Sequence, residues 1–472
     1  MSNFEELLQR AEEIANRIID TVKAGKKIAL IAHIDADGIT TASILIKAIY
    51  RKGGRFLVRV IGDLDLQLLD ELKDGDYGLY IFCEIGGGMV NEIIKRLDHR
   101  WIMIDHHRVP DEELNMKNVF NAWQFGFDGG VEVCGAGMAY FIAVKMDESN
   151  VNLSWLPIVG ALADRQDRGD KRSLISLNER IVNDALKHGY LKVTTDLLFY
   201  GRETKPIHEA IASTAMPYIP GLSGNRDLCL ASLTSAGIKL KDDGRWRTIA
   251  ELSNEEKMKI VEVIIPYFGG AVNEKVEELI GTVYTLIKED ENTPLRDARE
   301  FGTLLNACGR MGRASIGISI CLNDRDQTLQ EAQRILIDYR QELNRYLQTI
   351  LIDQSRVIDN RMWFLINGDG LVSPNMLSPL ASILATLPRF KGRLILAKTL
   401  MNSNEVKFSV RFGIGCEQSI SLASLVSEAA IQCGGVGGGH NTAAGARIPL
   451  TNVEKFLGAI SSKLKDLGWG QS

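Results

Sequence analysis

The chain has 472 residues, a net charge of −5, and 45 % hydrophobic against 24 % charged residues. That length allows roughly two to four domains of ~150 residues, and the balance excludes disordered, collagen-like and small disulfide-stapled chains. With 55 Lys and Arg against 60 Asp and Glu, an all-over basic coat is excluded, whereas a local basic groove is not. Gly370–Pro388 and Ala429–Ala446 are the longest stretches free of charge. Prolines break the first, and Gly, Asn and Thr fill the second, so neither suits a bilayer and no membrane contact is expected. The start lacks the features of a signal peptide, and seven scattered cysteines without a C-x-x-C pair suggest reduced thiols; a cytoplasmic location is expected.

A Ser2-x-x-Glu5 capping box opens an apolar helical series from Phe4 to Val22, which Gly25 ends. Lys27–His33, Phe56–Ile61, Tyr77–Cys83 and Trp101–Ile104 read as strands, with helices Ile39–Arg51, Leu66–Leu72 and Val90–Leu97 between them. This alternation predicts a mostly parallel sheet covered on both faces, with ligands beyond the carboxyl ends of its strands. From Ser173 to Asp324 the pattern loosens into helical stretches and loops such as Met216–Gly221. Leu329, Ala332, Leu336, Tyr339, Leu343, Tyr346 and Ile350 predict one long connecting helix. Strands Arg361–Ile366, Leu394–Ala397 and Val406–Val410, with helices near Leu377–Ala385 and Leu422–Ile431, then predict a smaller α/β domain. The expected divisions are 1–172, 173–324, 325–354 and 355–472.

His33, Asp35 and Asp37 follow the first strand, Glu84 the third, and Asp105, His106 and His107 the fourth. Asp164 follows a further apolar run, Trp155–Val159. Any one of these has an ordinary reading as a helix cap. Four strand ends converging with carboxylates and imidazoles would instead crowd like charges, which a cation relieves. Oxygen ligands with one or two imidazoles suit Mn²⁺ or Mg²⁺, and two ions ~3.5–4 Å apart would activate water against a phosphodiester. A second constellation is Gly434–Gly445 with Gly437, Gly438, Gly439 and His440: glycines alone read as a flexible turn, but with His440 and the nearby Arg411 their exposed N–H groups read as a phosphate-binding surface. Arg389, Lys391, Arg393, Lys398 and Lys407, and the run Arg165, Arg168, Lys171, Arg172, offer positive charge to a passing strand or are solvated surface in equal measure.

These motifs resemble the DHH phosphoesterase superfamily, named for a sequence like Asp105-His106-His107, and most of all its archaeal RecJ-like branch of GINS-associated nucleases. The resemblance implies an N-terminal parallel-sheet DHH domain, an inserted, mainly helical middle region that binds a partner, and a smaller C-terminal α/β DHHA1 domain that binds nucleic acid. It implies that Asp35, Asp37, Asp105, His106 and Asp164 hold metal with His33 in support, that His107 meets the scissile phosphate, and that Arg411 and His440 grip the nucleic-acid backbone. Glu84 departs from the usual Asp of the second motif, and Gly86, Gly87 and Gly88 leave its loop room to retreat. The implied activity is a metal-dependent single-strand exonuclease of DNA or RNA in replication or repair, with GINS and the replicative helicase as partners. A helicase-associated scaffold with little turnover, or a small-oligonucleotide phosphodiesterase, is the alternative.

Overall fold

The computed structural model describes residues 2–214, 218–268, 277–416 and 420–469. Helix α1 (Asn3–Lys23) starts on the expected capping box, with Ser2 and Glu5 each accepting from the other's backbone N–H. Five parallel strands follow: β1 (Lys27–His33), β2 (Arg55–Ile61), β3 (Leu79–Cys83), β4 (Trp101–Asp105) and β5 (Val119–Asn121), in the order β2-β1-β3-β4-β5. Every residue of β3 and β4 is buried, because helices cover both faces. Leu30, Ile81 and Ile102 face the core of α1 and α2 (Ala36–Arg51), whereas Ile31, Phe82 and Met103 face α3 (Leu66–Lys73) and α4 (Val90–Leu97). After the short α5 (Asp111–Leu114), helices α6 (Gly135–Met146) and α7 (Trp155–Ala163) join the first face. The chain departs to opposite sides of β1, through β2 and then β3, and so opens a crevice at their carboxyl ends.

One expectation changes here. The run Trp155–Val159 belongs to α7 and is no strand. It is apolar all round because it is buried on all sides, and Pro157 is tolerated in the first turn. Asp164 therefore enters the crevice from a helix end, and three strand ends, not four, meet there.

Further on, β6 (Leu191–Leu197) ends opposite the start of a later strand, and the chain between them forms its own unit. That unit includes the hairpin β7 (Lys241–Asp242) and β8 (Arg245–Trp246). The later strand, β9 (Ile280–Leu286), pairs antiparallel with β6 so that Leu197 faces Ile280. Between them Phe199, Ile207, Ile211, Leu222, Leu233 and Ile260 build a separate core. Met216 and Pro217 of the expected loop lie outside the described residues. Helix Ala298–Arg310 returns to pack on α7 and α2.

The predicted connecting helix is a single one, Asp326–Ile352. It leads to a mixed sheet of β10 (Val357–Asp359), β11 (Trp363–Asn367), β12 (Leu394–Leu400), β13 (Glu405–Phe412), β14 (Val436–His440) and β15 (Ala443–Pro449), ordered β10-β11-β12-β13-β15-β14. Helices Leu422–Gln432 and Val453–Asp466 cover Leu365, Leu396 and Phe408 on one face. On the other face Phe364, Ile366 and Ile395 share one continuous core with the connecting helix and the first domain. The glycine run is not a turn: it forms β14, paired with β15. Among the described residues no helix is long and apolar enough to cross a membrane.

Candidate metal centre

Asp35 caps α2, its Oδ1 accepting from the Gly38 N–H at 2.9 Å, and its Oδ2 lies 2.7 Å from His33 Nδ1. Burial opposes the charge of Asp35, but His33 and the Gly38 N–H hold it below the usual carboxylate range. Asp37 points inward. Its oxygens accept from the N–H groups of Gly135 at 2.8 Å and Ala136 at 3.0 Å, which places a carboxylate on the positive end of α6.

Glu84 follows β3 with φ of 60°, a left-handed conformation uncommon for a residue with a side chain. Its carboxylate is buried, and neither oxygen makes a hydrogen bond. Oε2 is 3.1 Å from His106 Nε2 and 3.4 Å from His107 Nδ1, neither aligned as a hydrogen bond. A Cβ on Gly135 would stand 1.4 Å from Glu84 Oε1. The longer carboxylate is thus housed by a missing side chain across the crevice as well as by its own loop.

His106 Nδ1 is hydrogen-bonded to the Gly129 carbonyl, which can only accept, so Nδ1 carries the proton. Nε2 then faces three carboxylates: Glu84 at 3.1 Å, Asp37 Oδ2 at 3.7 Å and Asp164 Oδ2 at 3.7 Å. Without a cation, a second proton takes that place. Burial disfavours it, but Glu84 pushes the His106 ring up to about 10. Burial, then the charge of Glu84, lifts Asp37 to about 8, and burial also raises Asp164. Asp105 Oδ1 accepts from the N–H groups of His106 at 2.7 Å and His107 at 2.9 Å and from His107 Nδ1 at 2.7 Å. Against burial, His107 pulls Asp105 down to about 2.

Glu84, Asp105, His106 and His107 thus present four donor atoms within 4.8 Å of one another, with Asp37 and Asp164 alongside. Two orphaned oxygens of a buried carboxylate facing an imidazole nitrogen fit a hard divalent cation. His33 and Asp35, each 28 % exposed, stand at the mouth.

The second domain completes the crevice. His440, at the end of β14, places its ring 4.6 Å from His107 and 5.5 Å from His106, with Nε2 4.0 Å from Asp164 Oδ1. Burial and the two neighbouring rings hold it down to about 2. Arg411 is braced by Ser378 Oγ at 2.5 Å and Ser382 Oγ at 3.0 Å and, among the described residues, pairs with no carboxylate. Burial, and the nearby Arg165 and Arg310, lower it to about 10. Three arginines therefore share one region, with Asp35 the carboxylate whose charge Arg310 meets. Of the expected basic track, Arg393, Lys398 and Lys407 are spent on Asp359, Asp369 and Asp63, and Arg172 on Asp167. Of the glycines, Gly437 lies against the helix Leu422–Gln432, Gly439 lies against Ala443, and Gly438 is open.

Sequence reasoning passed over Arg310, Gly135 and Gln166. Arg310 ends a helix far along the chain, donates to the Asn375 carbonyl at 3.1 Å, and carries no local signal. Gln166 lies two residues beyond Asp164, and that closeness was the available hint.

Comparison with known proteins agrees with this architecture. Residues 27–161 match the DHH family, N-terminal domain, residues 199–280 the DHH-CID domain, and residues 371–466 the DHHA1 domain. An uncharacterized protein of Methanocaldococcus jannaschii, MJ0831, is 30 % identical over 439 residues, covering 91 % of each chain. The chain belongs to the DHH family. The single-stranded-DNA-specific exonuclease RecJ of Bacillus subtilis is 25 % identical over 183 residues, which is 35 % of this chain and 22 % of that one. RecJ of Thermus thermophilus in complex with Mn²⁺ shares the fold with a TM-score of 0.56 at 16 % identity, covering 97 % of this chain and 55 % of that one. CDC45 of Entamoeba histolytica superimposes with a TM-score of 0.64 at 13 % identity, covering 96 % and 98 %.

Proposed function

We propose that this DHH protein is a metal-dependent phosphodiesterase that digests single-stranded DNA or RNA from an end, in replication or repair. The observation that carries the reading is the buried Glu84 carboxylate, whose oxygens make no hydrogen bond although His106 Nε2 faces them at 3.1 Å, a place that suits a cation. Asp35, Asp37, Glu84, Asp105, His106 and Asp164 would hold one or two Mn²⁺ or Mg²⁺ ions, with His33 in support. The ions would supply an activated water and neutralise the phosphate. Asp105 orients His106 and His107 through its three hydrogen bonds. His107 and His440 line the side on which a scissile phosphate would lie. Arg411, Arg310 and Arg165 offer charge to the adjoining phosphates, with the β14 glycines Gly437, Gly438 and Gly439 alongside. The B. subtilis exonuclease and the Mn²⁺ complex of T. thermophilus RecJ support the same chemistry. Digestion of end-labelled single-stranded DNA and RNA with Mn²⁺ or Mg²⁺ tests it: stepwise shortening is expected, and an inert parent with every divalent ion would overturn it.

A partner-docking role accompanies this reading. Residues 198–279 have their own core and contribute none of the candidate ligands. In the proposed division the DHH part (1–172) cuts, the middle part (173–324) binds a partner such as GINS at the replicative helicase, and the DHHA1 part (355–472) holds the strand. Cross-linking of the full chain to GINS should map to 198–279; contacts confined to the flanking parts would refute it.

A further inference from the structure

We infer that Gln166, itself fixed by Asn178, is a positioning residue for the metal centre; the inference rests on the metal-dependent reading above. Gln166 is fully buried. Its Oε1 accepts from Asn178 Nδ2 at 2.8 Å, and its Nε2 donates to the Gly129 carbonyl at 2.9 Å and to Asp164 Oδ2 at 3.0 Å. The Val133 carbonyl and His106 Nδ1 each lie 3.3 Å from the same nitrogen. Three oxygens around Nε2 and a donor at Oε1 leave the amide one orientation, since a flip would set oxygen against oxygen.

Two ligand candidates depend on that amide. Asp164 is the one brought by a helix end, where no strand fixes it, and Gln166 is the donor that aims its Oδ2 toward His106 Nε2. The Gly129 carbonyl that keeps the proton on His106 Nδ1 is the other acceptor of Gln166. One buried amide therefore sets the direction of a carboxylate and helps anchor the partner of an imidazole, the arrangement by which outer groups tune metal ligands. Asn178, on the helix Ser176–Lys187, touches neither ligand and acts only through Gln166.

The test is calorimetric titration of Mn²⁺ into the full chain, with the apo thermal midpoint recorded alongside. Gln166→Met keeps the volume and removes the donor, and should weaken Mn²⁺ binding by roughly 10–100-fold. Asn178→Leu keeps the volume and removes the donor to Oε1, so the amide that faces Asp164 is no longer fixed. The same loss is expected from it, and nothing further when it is added to Gln166→Met. Should Gln166→Met not fold, Gln166→Asn keeps an amide one methylene too short and gives the same readout. If the parent binds Mn²⁺ and the Gln166 variants bind within about twofold of it, the inference is wrong. If the parent takes up no Mn²⁺, the metal-centre reading itself fails and this inference falls with it.

Discussion

Lengthening a carboxylate by one methylene moves its oxygens by ~1.5 Å, and at Glu84 that shift is absorbed against Gly135, where even a methyl group would collide with Oε1. Gly135→Ala should therefore abolish Mn²⁺ uptake in the parent, yet do less harm beside Glu84→Asp, whose carboxylate ends earlier; equal losses in both backgrounds would break the link. Glu84→Ala should lower turnover by roughly 100-fold or more and strip an ion, whereas Asp37→Asn should do so without unfolding the chain. Cation binding must also displace protons. The metal-free centre holds one on His106 up to about 10 and one on Asp37 up to about 8, so both remain bound at neutral pH and compete with the ion. Affinity for Mn²⁺ should thus rise with pH between about 6 and 8, about tenfold per unit for each proton released. Titration in two buffers of different ionisation enthalpy counts those protons, and a flat profile would contradict the geometry.

Elements were legible where periodicity was unambiguous. The first four strands and their helices alternate plainly, and the helix Asp326–Ile352 announces itself by its spacing. Two segments read as something else. A short run apolar at every position, Trp155–Val159, has no period, so a buried helix looks like a buried strand. A run of glycines has almost no strand propensity of its own, so β14 is imposed by pairing with β15 and by contact with the helix Leu422–Gln432. The glycines along β14 should accordingly differ. A Cβ on Gly437 would approach the Val426 carbonyl to 2.9 Å, while one on Gly438 meets nothing within 4 Å. Gly437→Ala should cost about 1–3 kcal/mol and Gly438→Ala less than about 1, as read from denaturation midpoints. The meeting of carboxylates and imidazoles in one crevice was readable from sequence for the residues that follow strands. Arg310 was not, because only the return of the helix Ala298–Arg310 onto α2 brings it near Asp35.

At the scale of the molecule, the core decides what can be separated. Apolar packing runs without a break from α1 through the connecting helix to one face of the C-terminal sheet, so cutting the chain near Arg361 would strip that core of Phe364, Ile366 and Leu377. The role of the second domain is better probed by Arg411→Ala and His440→Ala in the whole chain. Affinity for long single strands should fall, with a shallower salt dependence for the arginine variant, since one phosphate contact releases about one counterion. The middle unit behaves oppositely, because its core is its own. Replacing residues 198–279 by a two-residue turn should leave a folded protein with parental Mn²⁺ affinity; loss of metal binding would show that the unit supports the centre. Since the chain leaves the frame at Leu197 and re-enters it at the facing Ile280, descent can lengthen, shrink or exchange that segment without moving a candidate ligand. Lineages that inherit the same crevice can in this way come to serve different machines.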